Sequence, residues 1–116
     1  MEVARPFDVF SPYCPSRAAF DAIFSRWGIL TLSRLTTEPV RFGVLRRSIG
    51  GISEKMLSQT LQVLEEQGLV VRRDFAEKPP RVEYGLSASG QRLSASLCGV
   101  IAGLYQELEQ RVAPAT

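Results

Sequence analysis

Residues 53–84 constrain this chain more than any other stretch, because three structural signals follow one another there without a gap. Ile52, Leu57, Leu61 and Leu64 recur at helical spacing, while Lys55, Ser58, Gln59 and Gln62 fall on the opposite side. Gly68 stops that pattern. Val70-Val71-Arg72-Arg73 and Val82-Glu83-Tyr84-Gly85-Leu86 then read as two strands, about 70–76 and 82–87, joined by Glu77-Lys78-Pro79-Pro80-Arg81. Paired prolines cannot donate to a β-ladder, so they belong at the tip. The segment is therefore expected to form a polar-faced helix, a glycine stop and a basic hairpin.

The flanking sequence supplies the rest of a small fold. Residues 1–14 read as an irregular arm whose Phe7, Phe10 and Tyr13 are too apolar for a free tail and are expected to dock on the body or on a second subunit. Pro15 suits the first turn of a helix with Ala19, Phe20, Ile23, Phe24 and Trp27 on its apolar face. Gly28 is expected to break that helix, and Ile29, Leu30, Leu32 and Leu35 to carry a second one up to Thr37-Glu38-Pro39. Val40-Arg41-Phe42 is expected to be extended and able to add a short strand to the hairpin, before a third helix through Phe42, Leu45 and Ile49. After a tight turn at Ser48–Ile52, Ser53 is a good N-cap for the fourth helix and Glu54 lies near its positive end. Leu69 can fold back on Leu64 beside the glycine stop.

Ser87 is expected to cap a last helix running to about Val112, with Leu93, Leu97, Val100, Ile101, Leu104, Leu108 and Val112 along one side. Such a helix is about 40 Å long, too long for a core of this size, so a second copy of the chain is the natural cover. The expected class is mainly α with a small β-hairpin: a winged helix-turn-helix with a long C-terminal dimerisation helix. It divides into an arm (1–14), a winged DNA-binding unit (15–92) and a dimerisation helix with a short tail (88–116), forming one structural domain overall.

Composition enters through charge placement. The net charge of the 116 residues is only +2. Within 41–81, however, Arg41, Arg46, Arg47, Lys55, Arg72, Arg73, Lys78 and Arg81 outnumber Glu54, Glu65, Glu66, Asp74 and Glu77. Positive charge thus collects on the segment suspected of touching nucleic acid. No apolar run approaches a membrane span, the start lacks a secretory signal, and Cys14 and Cys98 do not make a disulfide framework. A reduced, cytoplasmic setting without membrane contact is expected. The chain has no histidine, no paired-cysteine metal motif and no phosphate loop, since Gly50-Gly51 lacks the lysine and serine that follow one. Neither catalysis nor a cofactor is expected.

Three motifs carry a family resemblance. They are Gly51-Ile52-Ser53-x-Lys55-x-Leu57-Ser58-Gln59-x-Leu61, Leu64-Glu65-x-x-Gly68-Leu69-Val70 and Pro79-Pro80-Arg81-Val82-Glu83-Tyr84-x-Leu86-Ser87-x-x-Gly90. With Cys14-Pro15, Arg26-Trp27 and Arg41-Phe42-Gly43-x-Leu45-Arg46, they make about residues 14–95 resemble the HxlR-type transcriptional regulators. The resemblance implies a dimeric winged helix-turn-helix factor of bacterial type, related to MarR regulators, that represses or activates nearby genes. Arg26 stands where many relatives have lysine, 28–38 fits less closely, and the arm and the far end of the last helix lie outside the match.

Candidate residues follow. Ser53, Lys55, Ser58, Gln59 and Gln62 are expected to approach DNA, glutamine being able to pair with adenine and lysine with guanine or phosphate. Met56 suits a thymine methyl or the core equally. Arg41, Arg46, Arg47, Lys78 and Arg81 are candidates for phosphate contacts, with one of Arg46 and Arg47 free to pair with an acid instead. Phe20, Leu97, Ile101, Leu104 and Leu108 are the expected dimer contacts. Cys14 precedes a helix start, where a thiolate is favoured. It reads either as an oxidant or electrophile sensor, as the resemblance implies, or as a small packed residue. Cys98 is expected to be buried and inert, and Trp27 with the nearby phenylalanines to fill the core or to line a pocket between the first and last helices. The expected partners are double-stranded DNA, a second copy, and a small-molecule or oxidant effector. Alternatives are effector control without thiol chemistry, and a winged helix used only for protein contacts.

Overall fold

The computed structural model describes residues 6–112 and builds five helices around a three-stranded sheet. Helix α1 (Pro15–Ile23) opens on proline, as expected, but contributes no buried residue. Its Phe20 and the following Phe24, which caps its end, stack edge to face at 4.8 Å near the surface. Helix α2 (Arg26–Arg34) begins three residues earlier than the glycine-break reading requires. The break falls at Phe24-Ser25 because the Ser25 side chain caps the new helix, accepting from the Gly28 amide at 3.0 Å. Gly28 is inside α2 and buried, and a β-carbon there would collide with the Ile23 carbonyl oxygen. Glycine is needed here for close approach, and Trp27 accordingly belongs to α2.

Strand β1 (Val40–Arg41) follows Pro39, and helix α3 (Phe42–Ser48) starts at once, so Phe42 is helical and not extended. Gly51, at φ +83°, makes the turn into helix α4 (Glu54–Glu66). Ser53 caps α4 by accepting from the Met56 amide at 3.0 Å. At the other end Gly68 takes φ +76°, its amide donates to Glu65 O, and the Leu69 amide donates to Leu64 O at 3.0 Å. That paired closure satisfies the last carbonyls and folds Leu69 onto the core.

Strands β2 (Val70–Asp74) and β3 (Val82–Leu86) form the hairpin, and β1 adds to the far side of β3, giving the order β1-β3-β2, all antiparallel. Ser87 ties the hairpin to the final helix α5 (Ala88–Val112): its hydroxyl donates to Gly68 O at 2.6 Å and accepts from the Gly90 amide at 3.0 Å. Leu32, Leu35, Leu45, Ile49, Ile52, Leu57, Leu61, Leu64, Leu69, Val70 and Leu86 form the buried core, drawn from α2, α3, α4, the sheet and the turns that join them. Helix α5 is fixed at its base, where Gly90 abuts the Leu69 carbonyl and the buried Ser94 hydroxyl donates to Leu32 O at 2.7 Å. Only Gly90 and Ser94 of its 25 residues are buried. Its distal half projects from the body. Of the expected arm and tail, residues 1–5 and 113–116 lie outside the described residues.

Candidate nucleic-acid interface

The inward leucines of α4 decide which residues look outward. With Leu57, Thr60, Leu61 and Leu64 buried, helical geometry forces Lys55, Ser58, Gln59 and Gln62 into solvent, and all four are exposed. Ser53 is exposed as well, with its oxygen accepting the capping bond and its hydroxyl proton left to donate. Met56 lies at the margin, 37% exposed, so it is not core filling. Side-chain amides, a hydroxyl and an ammonium thus share one convex face able to meet base edges. Glu66 is exposed at the opposite end of the helix from Lys55.

The basic side chains divide by environment. Arg41 and Arg47 are exposed, as is Lys78 at the hairpin tip. Arg46 lies 3.9 Å from Glu54, a solvent-exposed pair that is worth little energetically but orients the guanidinium beside the start of α4. Arg81 is bound within the hairpin: it pairs with Glu77 at 3.2 Å, lies 4.0 Å from Glu83, and places its guanidinium 3.7 Å from the centre of the Phe75 ring. A phosphate would have to compete with those partners, so the arginine acts at least as a brace for the loop. Sequence periodicity did not reveal this, because Phe75, Glu77 and Arg81 meet only through the loop.

Register exposes a further element of the site. Glu83 of β3 is directly opposite Arg41 on β1 and Arg73 on β2, so one carboxylate sits between two arginines on a single sheet face. On the other face Tyr84 is opposite Val40 and Arg72, and Arg72 is also 3.8 Å from Asp74. The Tyr84 hydroxyl opposite it, and then the Asp74 carboxylate, hold the Arg72 guanidinium still more firmly in its charged form. Strand pairing, which a linear reading does not provide, was required to see these clusters.

Cys14 stands at the N-cap of α1, partly exposed. Its sulfur accepts from the Asp8 amide at 3.2 Å and from the Ser16 hydroxyl at 3.2 Å. The Asp8 amide, then the Ser16 hydroxyl and amide, pull the thiol pKa below its ordinary value, outweighing partial desolvation and the Asp8 charge. The arm is held over this site by Arg17, which donates to Val9 O at 2.7 Å and Phe10 O at 3.0 Å. Phe7, Phe10 and Tyr13 do not dock on the protomer; they are 62%, 87% and 94% exposed.

One expectation needs correction. Cys98 is exposed, its sulfur donating weakly to Ser33 O at 3.5 Å, because its side of α5 overlooks a cleft and not the core. That cleft, of about 310 Å³, is lined by residues of α2, the turn after α3, and α5. Neither Trp27 nor a phenylalanine lines it; Trp27 packs against the core beneath the Arg26 guanidinium. Among the expected dimer contacts, Leu104 and Leu108 are exposed and Phe20 is 42% exposed, while Leu97 and Ile101 are half-buried against the protomer.

A helix-turn-helix of α3 and α4, closed by a three-stranded sheet with a basic hairpin, defines a winged helix-turn-helix protein. Residues 22–111 match the family model described as HxlR-like helix-turn-helix, and the chain belongs to that family. It is a helix-turn-helix transcriptional regulator, of a family whose members are regulators and not enzymes. The chain is 43% identical over 93 residues to the uncharacterised HTH-type transcriptional regulator YtfH of Escherichia coli, covering 80% of this chain and 74% of that protein. A solved putative regulator ytfH from Salmonella typhimurium superposes with a TM-score of 0.78 at 40% identity, covering 92% of this chain and 99% of that one. The redox regulator HypR in its oxidised form superposes at 0.67 with 26% identity, covering 88% and 100%. No helix among the described residues is long and apolar enough to cross a membrane.

Proposed function

We propose that the chain is a sequence-specific DNA-binding regulator that works as a homodimer, with α4 as the recognition helix and Cys14 as a thiol switch. The observation that carries this reading is the pairing of an outward amide-bearing face on α4 with a basic hairpin on the same small body. Lys55, Ser58, Gln59 and Gln62 read bases, Ser53 and Met56 lie at the helix entry, and Arg41, Arg46, Arg47 and Lys78 hold phosphates. Arg81 braces the wing and reaches phosphate only when its acidic partners release it.

Dimerisation is supported by the apolar side of α5. Leu104, Tyr105, Leu108 and Val112 are 52%, 60%, 42% and 80% exposed, and each would gain roughly 1.5–3 kcal/mol on full burial. A second copy covers that side together with Phe20, Leu97 and Ile101, and receives the aromatic arm. The unit at 15–92 then reads DNA while 88–116 sets the spacing of two reading heads, with half-sites one turn or a multiple apart.

Thiol control is supported by the donors around the Cys14 sulfur and by the likeness to a protein described as a redox regulator. Oxidation beside the arm changes the contacts that the arm makes with the second copy, and a switch results only if the two arrangements bind DNA with different affinity. The test is selection of bound genomic duplexes with and without oxidant, followed by titration of the best duplex. Gln59→Ala should weaken that duplex by about 1–3 kcal/mol and leave random DNA unaffected; equal binding of all duplexes by both proteins would refute base reading. Cys14→Ser should remove any oxidant response.

A further inference from the structure

The outer end of the hairpin holds a guanidinium in a grip that a phosphate could take over. Phe75 follows β2, and its amide donates to Arg81 O at 3.0 Å, so the two residues stand opposite each other one step beyond the Asp74–Val82 pair. Arg73 is two residues before Phe75, and Glu83 two after Arg81, which sets all four side chains on one face of the hairpin. The Phe75 ring receives the Arg81 guanidinium at 3.7 Å and that of Arg73 at 5.5 Å. A guanidinium against a ring is held by attraction to the π-cloud, which leaves its N–H edge available for an anion. Carboxylates take that edge: Arg81 Nη2 lies 3.2 Å from Glu77 Oε1, and Nε lies 4.0 Å from Glu83 Oε2. The second contact is too long for a hydrogen bond, and the Nε–H, shut off from solvent, has no acceptor.

Of the two acids, Glu77 is the one that can leave. Glu83 is fixed on the central strand with its side chain 20% exposed, whereas Glu77 belongs to the loop and is 52% exposed. Among the described residues the Glu77 carboxylate pairs with Arg81 alone. An exposed pair of this kind is weak, and a phosphate can offer oxygens to both terminal nitrogens of the guanidinium. We propose that Glu77 is an affinity-setting residue: its carboxylate occupies the anion-binding edge of Arg81 in the free protein and is exchanged for a DNA phosphate on binding. Phe75 is the positioning residue, since its ring keeps the guanidinium in place while the anion changes. The proposal rests on the reading of the chain as a DNA-binding regulator and adds that the wing carries its own stand-in for the phosphate. Phosphate contacts carry no sequence information, so the exchange lowers affinity for every duplex alike and leaves discrimination to α4.

The test is titration of the full chain against two labelled duplexes, one selected and one random, by fluorescence anisotropy. Glu77→Asp keeps the charge but draws the carboxylate back from Arg81. Both duplexes should then bind about two- to fivefold more tightly per subunit, the fold-change equivalent to an exposed ion pair. That gain should vanish when Glu77→Asp is combined with Arg81→Gln. Phe75→Leu should weaken both duplexes and make the salt slope shallower by about one per subunit, and Phe75→Tyr should behave as wild type. Without DNA, NMR relaxation of the Arg81 Nε–H should report a more mobile guanidinium in Glu77→Asp than in wild type. Unchanged or weaker binding by Glu77→Asp, a gain that survives Arg81→Gln, or an unaltered salt slope in Phe75→Leu overturns the proposal. Equal mobility of the Arg81 Nε–H in wild type and Glu77→Asp overturns it as well, whatever the duplexes do. A chain that binds no duplex, yet frees Arg81 in Glu77→Asp, counts against the regulator reading and not against the Glu77 contact.

Discussion

At residue scale the chemistry of the chain is governed by which donors a side chain can find. Cys14 has the Asp8 amide and the Ser16 hydroxyl on its sulfur, which favours the thiolate, whereas the Cys98 sulfur has the Ser33 carbonyl as its partner. A lowered pKa means that thiolate persists to lower pH, so the alkylation rate of Cys14 should reach its plateau at lower pH than that of an unperturbed thiol. Ser16→Ala should move that profile toward higher pH, as read by iodoacetamide trapping and mass spectrometry; an unmoved profile would show that the serine contributes nothing. Position 14 was recognisable in the sequence as a helix start, but the arm folding back to present Asp8 was not. Arg81 teaches the same lesson: its charge was legible, its partners Glu77 and Phe75 were not.

The elements were legible where local signals are self-sufficient. Ser53, Gly68 and Ser87 each satisfy backbone groups within a few residues of themselves, and each helix boundary they mark is where the sequence places it. Removing the cap with Ser53→Ala should cost about 1 kcal/mol in urea unfolding. Ala at Gly68 forces a β-carbon into φ +76° and should cost about 1–2 kcal/mol. Glycines whose role is contact were misread or missed. Gly28 looks like a breaker but is a helical residue pressed against Ile23, and Gly90 lets α5 approach the Leu69 carbonyl. Gly90→Ala should therefore destabilise more than Gly99→Ala, whose β-carbon meets nothing; equal melting temperatures would contradict the close approach.

For the whole molecule the unpaired distal half of α5 dominates. Leu104→Glu with Leu108→Glu should convert the proposed dimer to a monomer in sedimentation equilibrium without lowering helix content. If a dimer neutralises about eight phosphates, log affinity should fall with log salt at a slope of about −7, and the monomeric variant should show about half of that. The order of elements, the outward face of α4 and the length of α5 were all fixed by patterns that repeat within a single helix or strand, because such periodicity is a property of the backbone alone. Tertiary structure alone decided that Glu83 lies between Arg41 and Arg73, that Cys98 overlooks a cleft, and that Arg34 reaches across to Ser48. Those relations join residues distant in the chain, and no local spacing encodes where two surfaces will meet.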